Sequence, residues 1–346
     1  MDTLTHFRVQ TKPGKPFTIL QLTDMQLIDA EQRRYPERLG GDEPFRWMTE
    51  KIDQNALDPI RKTVDIAQPD LIVVTGDLIY GEFDDAGTSH HKLVDCFSSL
   101  GIPWAPVFGN HDNETAMGVD WQCDLYSHAK NCLFARGELT GNCNYTIGIY
   151  DGDTLIRVLY MMDSNTCFGG TDPALHKECN FGKDQLDWVA DTAAHIRETV
   201  GHTVPGFFLC HIPTVDVFDI LVRSGYATLD DLRTKACTFR IGNEPVDIET
   251  TLAPAHPGDF GYMDERMGVS GKRLQPMFQE AGIDGFFCGH CHQITLSVQY
   301  DTVRYTFGVK CGTYDYHRNG MLGGTKITLG EDSSFAVEHI YQGETV

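Results

Sequence analysis

The sequence predicts a layered α/β fold. Short apolar segments of strand length alternate with segments of helical spacing in the first part of the chain, and the C-terminal third consists mostly of strand-like segments. Three of the apolar segments, at residues 70–75, 104–108 and 284–288, stop at a glycine that is followed by Asp, Asn or His. A glycine lets the backbone turn sharply there. We therefore expect loops at strand ends to carry the functional residues.

The chain has 346 residues, a length at which an α/β fold often forms one domain, and we expect a single domain over residues 1–346. Hydrophobic residues make up 41% of the chain, enough for a large core. The formal net charge of −21 makes a nucleic acid duplex an unfavourable partner, because phosphate backbones repel an acidic surface. An anionic small substrate remains compatible, because bound cations can reverse the local field.

The sequence also favours a cytoplasmic location without membrane association. Residues 1–15 are polar and lack the apolar region of a signal peptide, and no apolar segment reaches the ~20 residues of a membrane helix. The eleven cysteines are odd in number and scattered, so we expect reduced thiols rather than a disulfide framework. Cys288 and Cys291 are closely spaced, but no second pair completes a zinc site.

The first predicted element is a buried strand at residues 17–23, which ends at Asp24. Apolar residues at helical spacing then predict a helix over residues 52–67, in which Pro59 marks a break. The following elements are a strand at 70–75, a helix at 90–100, a strand at 103–108 and a helix at 119–129.

The second half begins with a predicted hairpin of strands 144–150 and 155–162. Residues 224–270 contain three prolines and several glycines, and we expect a long excursion of the same domain that acts as a lid or a rim. The other elements are helices at 184–200 and 272–281 and strands at 206–210, 284–288, 294–299, 303–309, 325–329 and 334–341.

The polar residues near the strand ends include the donors that a pair of metal ions needs. Such a pair requires a bridging carboxylate, oxygen and imidazole donors, and an open position for water. Asp77 follows a strand and a glycine, which suits a bridge, and His290 and His292 face one side of an extended backbone while Cys291 faces the other. The candidate ligands are Asp24, Asp77, Tyr80, Asn110, His211, His290 and His292.

Taken singly, these residues have ordinary structural explanations. Asp24, Asp77 and Asn110 suit turns, because Asp and Asn side chains bond their own backbone. A lone His211 in an apolar stretch suits a hydrogen-bonded core position. The ordered set of candidates is what favours a metal centre.

At these residues the chain resembles the calcineurin-like metallophosphoesterase superfamily. The pattern of that superfamily is D-x-H, G-D-x-x-[DRY], G-N-H-[DE], a lone H and G-H-x-H. The matching residues here are Asp24; Gly76-Asp77; Gly109-Asn110-His111-Asp112; His211; and Gly289-His290-Cys291-His292. The sequence His211-Ile212-Pro213 resembles the purple-acid-phosphatase-like branch. The resemblance implies a four-layer α/β/β/α sandwich with two mixed β-sheets and with metals at the strand ends between them.

The resemblance further implies two metal ions that share Asp77. Asp24, Asp77, Tyr80 and His292 would hold the first ion, and Asp77, Asn110, His211 and His290 would hold the second. The ions are expected to be Fe, Mn or Zn, with Fe(III) favoured at the first site if Tyr80 is a ligand. Two interpretations of Tyr80 stay open, a metal ligand and a wall of the site.

One residue departs from the pattern, because Gln26 stands where the superfamily usually has the histidine of D-x-H. Purple acid phosphatases have D-x-G there, and a tyrosine of the second motif, at the position of Tyr80, replaces the histidine. Gln26 is then either a weak oxygen donor or a group behind the ligands that holds a water.

The implied activity is that of a metal-dependent phosphoric ester hydrolase, in which a metal-bridging hydroxide attacks phosphorus in line. His111 would protonate the leaving oxygen or stabilise the transition state, and Asp112 would orient its imidazole. A phosphate monoester of a small molecule or a protein is the favoured substrate. The alternatives are a phosphodiesterase for cyclic nucleotides or phosphodiester lipids and a non-catalytic scaffold of the same fold.

Overall fold

Two β-sheets face each other in the structure, a computed structural model that describes residues 4–29, 52–165, 181–233, 237–242, 244, 246–269 and 272–343. The strands, in chain order, are β1 (Phe7–Gln10), β2 (Phe17–Leu22), β3 (Leu71–Thr75), β4 (Trp104–Val107), β5 (Tyr145–Asp151), β6 (Thr154–Met161), β7 (Gly206–Leu209), β8 (Phe239–Ile241), β9 (Thr251–Leu252), β10 (Gly261–Met263), β11 (Ile283–Cys288), β12 (Ser297–Tyr300), β13 (Val303–Phe307), β14 (Gly323–Leu329) and β15 (Phe335–Tyr341). The helices are α1 (Ile52–Ala67), α2 (Thr88–Leu100), α3 (Val119–His128), α4 (Lys183–Val200), α5 (Asp216–Arg223), α6 (Leu229–Arg233) and α7 (Gln275–Ala281).

Both main sheets are mixed, as predicted. The larger sheet has seven strands in the order β1-β5-β6-β7-β11-β13-β12, and the other has five in the order β15-β14-β2-β3-β4. Strands β2, β3 and β4 are mutually parallel in the five-stranded sheet. Strands β6, β7, β11 and β13 are parallel in the seven-stranded sheet. Each sheet therefore gathers the carboxyl ends of several strands at one edge.

The sheets and helices form the four layers. One buried cluster combines Ile19 and Val73 of the five-stranded sheet with Phe207 and Phe287 of the seven-stranded sheet. Helix α1 packs on β2 and β14, whereas α7 packs on β11 and β13. Strands β2 and β3 are buried along their whole length, because they are covered on both faces, and this explains their mostly apolar sequence. The predicted α/β/β/α sandwich is confirmed.

Helix α1 has the predicted bounds, but the predicted break at Pro59 is wrong, because the helix continues through this residue. A proline in a helix removes the N–H that would bond the carbonyl four residues earlier. Here Thr313 Oγ1 donates to that carbonyl, of Asn55, at 3.2 Å. The carbonyl of Pro59 accepts from Thr63 Oγ1 at 2.8 Å and from Gln342 Nε2 at 3.0 Å. Neighbouring side chains thus compensate for the missing bond.

The excursion at residues 224–270 is more regular than its composition suggests. It contains α6 and a small sheet of its own with the strand order β10-β8-β9. Isolated bridges join Phe260 to Ser297 and Met263 to Ile294, which places the end of the excursion beside the residues that follow His292. A function as lid or rim stays a prediction, as does the single domain.

Two further features concern the cysteines and the helices of the described residues. Their nine cysteines are free thiols, of which eight are buried. None of the helices that the structure describes is long and apolar enough to cross a membrane. The cytoplasmic location stays a prediction.

Candidate metal centre

Strand ends from both sheets meet at one place. The ends of β2, β3, β4, β7 and β11 are followed by Asp24, Asp77, Asn110, His211 and His290. Two hydrogen bonds tie the sheets together directly behind these residues. His211 Nδ1 lies 2.8 Å from the carbonyl oxygen of Thr75, and Gln21 Nε2 donates to the carbonyl of Cys288 at 2.9 Å. The predicted ligands from distant parts of the chain are thereby brought close together.

Asp24, Asp77 and His292 form the tightest group. All three are buried, and they offer ligand atoms that lie within 4.8 Å of one another. Oδ2 of Asp24 accepts hydrogen bonds from Thr23 Oγ1 at 2.7 Å and from the backbone N–H of His290 at 3.1 Å. Oδ1 of Asp24 is buried without a hydrogen-bond partner, 3.3 Å from His292 Nε2. A buried carboxylate oxygen in this state is costly, and a cation would satisfy it.

The two histidines are held in one orientation by backbone carbonyls. Nδ1 of His292 lies 3.0 Å from the carbonyl oxygen of Tyr316, and the carbonyl of Thr75 holds Nδ1 of His211. In the neutral form of each ring Nδ1 therefore carries the proton, which leaves the lone pair on Nε2. Each Nε2 faces a carboxylate oxygen at 3.3 Å. Two lone pairs repel each other unless a proton or a metal cation lies between them, so this arrangement suits metal ligation.

A second group lies on the other side of Asp77. Nε2 of His211 is 3.3 Å from Asp77 Oδ2 and 3.1 Å from Asn110 Oδ1. The ring of His290 lies 5.2 Å from the ring of His211, at a steep angle. The backbone N–H of His111 donates to Asp77 Oδ1 at 2.9 Å. Asp77 thus belongs to both groups, as a bridging carboxylate would.

Burial and charge act in opposite directions on the protonation of the centre. Burial alone would lower the pKa of His211, but the Asp77 carboxylate outweighs it, and the pKa rises to about 10. Burial alone would raise the pKa of Asp24, but the nearby imidazoles of His292 and His211 lower it to about 2. Burial and the charge of His211 lower the pKa of His290 to about 4. The centre favours bound positive charge while His290 keeps the neutral form that binds metals.

The motif glycines make room for ligand side chains. A Cβ at Gly109 would lie 2.2 Å from Asp77 Oδ1, and one at Gly289 would lie 2.1 Å from Thr23 Oγ1. Only Gly76 of the three adopts a positive φ, of 86°. A sharp turn of the backbone therefore requires glycine at position 76, and close approach of the site residues requires it at positions 109 and 289.

The backbone of the centre is strained at residues other than glycine. A positive φ is uncommon for such residues and costs of order 1–3 kcal/mol each. Strain of this kind persists where the surrounding structure fixes the backbone, and it clusters at functional sites. The residues are Asp24 (φ 52°), Gln26 (47°), Asp77 (50°) and His290 (72°).

His111 lies at the edge of the centre, next to Glu114 and Tyr80. Its Nδ1 is 2.8 Å from Glu114 Oε2, and its ring stacks on Tyr80 with a centroid distance of 4.1 Å. Burial lowers the pKa of His111, but the charges of Asp77 and Glu114 and the Glu114 hydrogen bond outweigh it and raise the pKa to about 9. Tyr80 packs on His111, and both interpretations of Tyr80, a metal ligand and a wall of the site, stay predictions.

The prediction that Asp112 orients His111 is wrong. Asp112 Oδ1 accepts from the backbone N–H of Leu78 at 2.9 Å, and its Oδ2 accepts from that of Gly109 at 2.6 Å. A 3₁₀ turn at Asp112–Glu114 begins directly after His111. Residues three apart are aligned in such a turn, so Glu114 rather than the adjacent residue reaches the imidazole. The i+3 spacing of His and Glu was the available sequence signal for this contact.

Lys310 is a further residue of the centre, although it belongs to no motif. It is 2% exposed, and its Nζ donates to the carbonyl of Asp24 at 2.9 Å and to Gln26 Oε1 at 2.6 Å. Gln26 Nε2 lies 3.5 Å from Asp77 Oδ2. The available sequence signal was a single charge in the otherwise apolar stretch around Val309.

Comparisons with known proteins agree with the fold and the motifs. The model of the calcineurin-like phosphoesterase family matches residues 17–293. "Probable inactive purple acid phosphatase 14" of Arabidopsis thaliana is 31% identical over 329 residues, which are 89% of this chain and 72% of that protein. "Phosphatase DCR2" of Saccharomyces cerevisiae is 29% identical over 209 residues, which are 56% of this chain but only 32% of that protein.

A solved structure has the same fold. A dimetal phosphatase from Danio rerio aligns with 96% of this chain and 98% of its own, with a TM-score of 0.50 and 11% sequence identity. The family match covers most of the chain and includes every predicted metal ligand. The chain therefore belongs to the calcineurin-like phosphoesterase family and resembles its purple-acid-phosphatase-like branch.

Proposed function

We propose that this protein is a metal-dependent phosphomonoesterase for small-molecule or protein phosphate esters. The observation that carries the proposal is the buried Asp24 Oδ1, which has no hydrogen-bond partner and faces the lone pair of His292 Nε2. Such an arrangement is unfavourable in a protein without a cation and suits one that binds it.

We assign the ligands as the motifs predict. Asp24, Asp77, Tyr80 and His292 would hold the first ion, and Asp77, Asn110, His211 and His290 the second. When bound, two such cations activate a water and neutralise the charge of the phosphoryl oxygens. Oxygen and imidazole donors together suit Fe, Mn or Zn, and Fe(III) is favoured at the first site if Tyr80 is a ligand.

His111 supplies the proton in this proposal. Glu114 fixes its Nδ1, so we assign Nε2 as the atom that donates a proton to the leaving oxygen. The raised pKa of His111, about 9, keeps the imidazole charged at neutral pH, so the same group attracts the phosphate anion. Asp112 contributes by fixing the backbone of the loop that carries His111.

The remaining sequence predictions are kept as part of the proposal. One domain covers residues 1–346, and the excursion at 224–270 forms a rim of the site. In support, a Cβ on Gly268 would lie 2.8 Å from His290 Nε2, and Glu265 Oε1 accepts from the backbone N–H of Gln293 at 3.1 Å. The free thiols of the described residues suit the reducing cytoplasm.

A non-catalytic member of the family is the second candidate. One relative of this chain carries the words "probable inactive" in its name. In this chain Gln26 replaces a histidine of the motif and directs an amide N–H₂ group toward Asp77. A phosphodiesterase would use the same centre, so substrates must distinguish it from a monoesterase.

The test compares wild type and Asp77→Asn, both loaded with Mn²⁺ or iron, on p-nitrophenyl phosphate and on its bis-ester. We expect the wild type to prefer the monoester and Asp77→Asn to lose activity by at least about 100-fold, because cation stabilisation of the transition state is worth several kcal/mol. Asp65→Asn, on the exposed side of α1, is the matched control and should retain activity.

Thermal unfolding checks that both variants are folded. Equal turnover by wild type and Asp77→Asn would refute the bridging role. A metal-loaded wild type without activity on either ester would favour the non-catalytic candidate, and a preference for the bis-ester would favour the phosphodiesterase.

A further inference from the structure

A polar cavity lies beside the metal centre, between the end of the excursion and the loop that follows β13. Its volume is about 500 Å³, within the range of cavities that bind small molecules. Asp264 belongs to the excursion, and Gln293 directly follows the predicted ligand His292. The residues that line this polar cavity are Asp264, Gln293, His317, Arg318 and Asn319.

Three contacts join the polar cavity to the metal centre. The carbonyl oxygen of Tyr316 lies 3.0 Å from His292 Nδ1, and the ring of Tyr316 stacks on the same imidazole with a centroid distance of 4.3 Å. Oδ2 of Asp315 lies 3.7 Å from His292 Nδ1. The loop at residues 315–319 therefore contacts a predicted ligand at one end and forms the wall of the cavity at the other.

The same loop lies near the proposed proton donor. The carboxylate of Asp315 is close enough to His111 for its charge to act on that imidazole, together with the charges of Asp77 and Glu114. His111 is assigned to the leaving oxygen, so the alcohol part of a phosphate ester would lie on this side of the centre. We expect that alcohol part to extend into the polar cavity.

An ion pair in the wall brings the polar cavity close to neutrality. Arg318 Nη1 lies 3.2 Å from Asp264 Oδ2, so the two charges offset each other. Arg318 also donates to Tyr262 Oη at 2.6 Å and to the carbonyl of Asp247 at 3.1 Å, and these bonds fix its guanidinium. The described lining residues include no lysine and no second arginine that could bind a further phosphate group. A neutral alcohol part therefore fits better than an anionic one.

Hydrogen-bond donors and acceptors are mixed in the wall, which suits hydroxyl groups. A carboxylate accepts, a guanidinium donates, and a side-chain amide does both. Asp264, Arg318, Gln293 and Asn319 supply all three kinds of group. A hydroxyl group also donates and accepts, so an alcohol with several hydroxyls can pair with each of them. An aliphatic or aromatic group would cover these polar atoms without pairing them, which is costly.

We infer that the polar cavity binds the alcohol part of the substrate and selects phosphate monoesters of sugars or polyols. The side-chain amides of Gln293 and Asn319 determine this specificity by bonding hydroxyl groups of the substrate. The inference rests on the proposed phosphomonoesterase function and names its substrate class.

A second cavity, of about 420 Å³, is the alternative place for the alcohol part. It adjoins the other side of the centre, because a Cβ on Gly268 in its wall would lie 2.8 Å from His290 Nε2. This apolar cavity would select aliphatic or aromatic esters. We favour the polar cavity because its loop carries Asp315, whose charge reaches His111. The residues that line the apolar cavity are Phe218, Leu232, Arg266, Met267, Gly268 and Val269.

The test compares glucose 6-phosphate with cyclohexylmethyl phosphate as substrates of the metal-loaded protein. Both are esters of a primary alcohol on a six-membered ring, but only the first carries hydroxyl groups. For the wild type we expect kcat/KM to be at least about 10-fold higher for glucose 6-phosphate, mainly through a lower KM, because two or more hydrogen bonds add to binding. Calorimetric binding of the corresponding sulfate esters should show the same preference without turnover.

Two variants locate the source of the preference. Asn319→Leu and Gln293→Met each remove one side-chain amide and keep a similar volume, and we expect each to lower the ratio of the two kcat/KM values by about fivefold. Gln10→Leu, at the exposed end of β1, is the matched control and should keep the wild-type ratio. Thermal unfolding checks that the three variants are folded.

Each outcome has a defined meaning. Equal kcat/KM for the two esters, within about threefold, overturns the inference and leaves the phosphomonoesterase function standing. A preference for cyclohexylmethyl phosphate overturns it in favour of the apolar cavity, and an unchanged ratio in both folded variants shows that the polar cavity is not the source of specificity. If the metal-loaded wild type hydrolyses no phosphate ester, the proposed function fails, and equal binding of the two sulfate esters then overturns the inference as well.

Discussion

At the scale of single residues, the centre depends on how each side-chain atom is used. Asp24 shows this division of roles, because neighbouring donors occupy Oδ2 while Oδ1 stays open. His292 is divided in the same way, with Nδ1 held by a carbonyl and Nε2 directed at Asp24. Preorganised donors of this kind lower the cost of ordering a site when its cation arrives.

The first prediction concerns Gly289. In Gly289→Ala, the new methyl group would lie 2.1 Å from Thr23 Oγ1 and 2.9 Å from Asp24 Oδ2, so the Asp24 carboxylate must move. We expect metal affinity to fall by about 10–100-fold, in the range seen when the groups that orient metal ligands are removed. Calorimetric titration with Mn²⁺ measures the change.

Gly14→Ala is the control, since a Cβ there meets nothing within 4 Å. It should lower the free energy of unfolding by about 1 kcal/mol, because Gly14 has a positive φ, and leave metal affinity unchanged. Wild-type affinity in Gly289→Ala would show that Asp24 is not held through this contact.

The sequence motifs indicated the candidate ligands of the centre. They did not indicate Lys310 or Glu114, which belong to no motif and join the centre only in the folded chain. Lys310 lies 284 residues from Gln26 along the chain, and a bridge between Thr23 and Lys310 brings them together. No local pattern encodes a contact of this kind. The i+3 spacing could have indicated the contact between Glu114 and His111. Asp112 was predicted instead because it is adjacent to His111.

At the scale of elements, helix α2 contains a histidine that folding keeps neutral. His90 is buried, its Nδ1 lies 2.9 Å from Tyr126 Oη, and its Nε2 has no hydrogen-bond partner. Burial and the charge of His91 lower the pKa of His90 to about 3. A histidine in an unfolded chain titrates near a pKa of about 6.5.

The second prediction follows from this difference. Below about pH 6.5, His90 takes up a proton in the unfolded chain but stays neutral in the folded protein. The contribution of neutral His90 to the free energy of unfolding is therefore complete above about pH 6.5 and is lost as pH falls toward 3. The slope approaches ~1.4 kcal/mol per pH unit. Between pH 7 and pH 5, we expect His90→Gln to lose about 2 kcal/mol less free energy of unfolding than the wild type.

Urea unfolding at the two pH values measures this effect. His128→Gln, at the exposed end of α3, serves as the control and should keep the wild-type pH dependence. The same dependence in wild type and His90→Gln would mean that His90 becomes protonated in the folded state.

Elements were predictable where a periodic or apolar pattern extends over enough residues. Helix α1 and the β5–β6 hairpin lie where the sequence placed them. The strands of the small sheet have three, two and three residues, too few to establish any period. Helix α1 continues through Pro59, where Thr313 and Gln342 bond carbonyls of the helix. Both residues are distant in sequence, so the local pattern did not indicate these contacts.

At the scale of the whole molecule, Arg157 links the two main sheets at the end opposite the metal centre. The side chain is 1% exposed, and its two terminal nitrogens bond the carboxylate of Asp284, near the start of β11. One of them also donates to the carbonyl of Ser333, in the turn between β14 and β15, at 2.6 Å. Its guanidinium covers the ring of Phe207 at 4.1 Å.

The third prediction is that Arg157→Met destabilises the fold without affecting the centre. Breaking a buried ion pair costs about 3–5 kcal/mol, and we expect about 2–3 kcal/mol here, because the Asp284 side chain is 29% exposed. Chemical denaturation measures the loss, and Mn²⁺ titration should give the wild-type affinity.

Arg273→Met is the matched control, since the Arg273–Asp219 pair is exposed and should stabilise the fold much less. Equal losses in the two variants would contradict a structural role for Arg157 between the sheets.

The overall architecture was only partly accessible from the sequence. The alternation of strands and helices and the β-rich C-terminal third indicate layers, but they do not give the order of strands. Strand β1 pairs with β5, whose sequence lies about 140 residues later, and β14 and β15 complete the sheet that β2 begins. Such pairings are decided by the burial of whole faces and not by local preference. The two-sheet arrangement came from the family resemblance.

The left-handed backbone at Asp24, Gln26, Asp77 and His290 has a consequence for how this protein can lose activity. Asparagine enters that conformation more readily than most residues, whereas alanine does so at a cost. An alanine scan of these loops would mix strain with loss of a ligand, but an asparagine series isolates the loss of charge. For the same reason, a single Asp→Asn mutation can abolish activity during genetic drift, because it removes the negative charge and preserves the conformation of the loop.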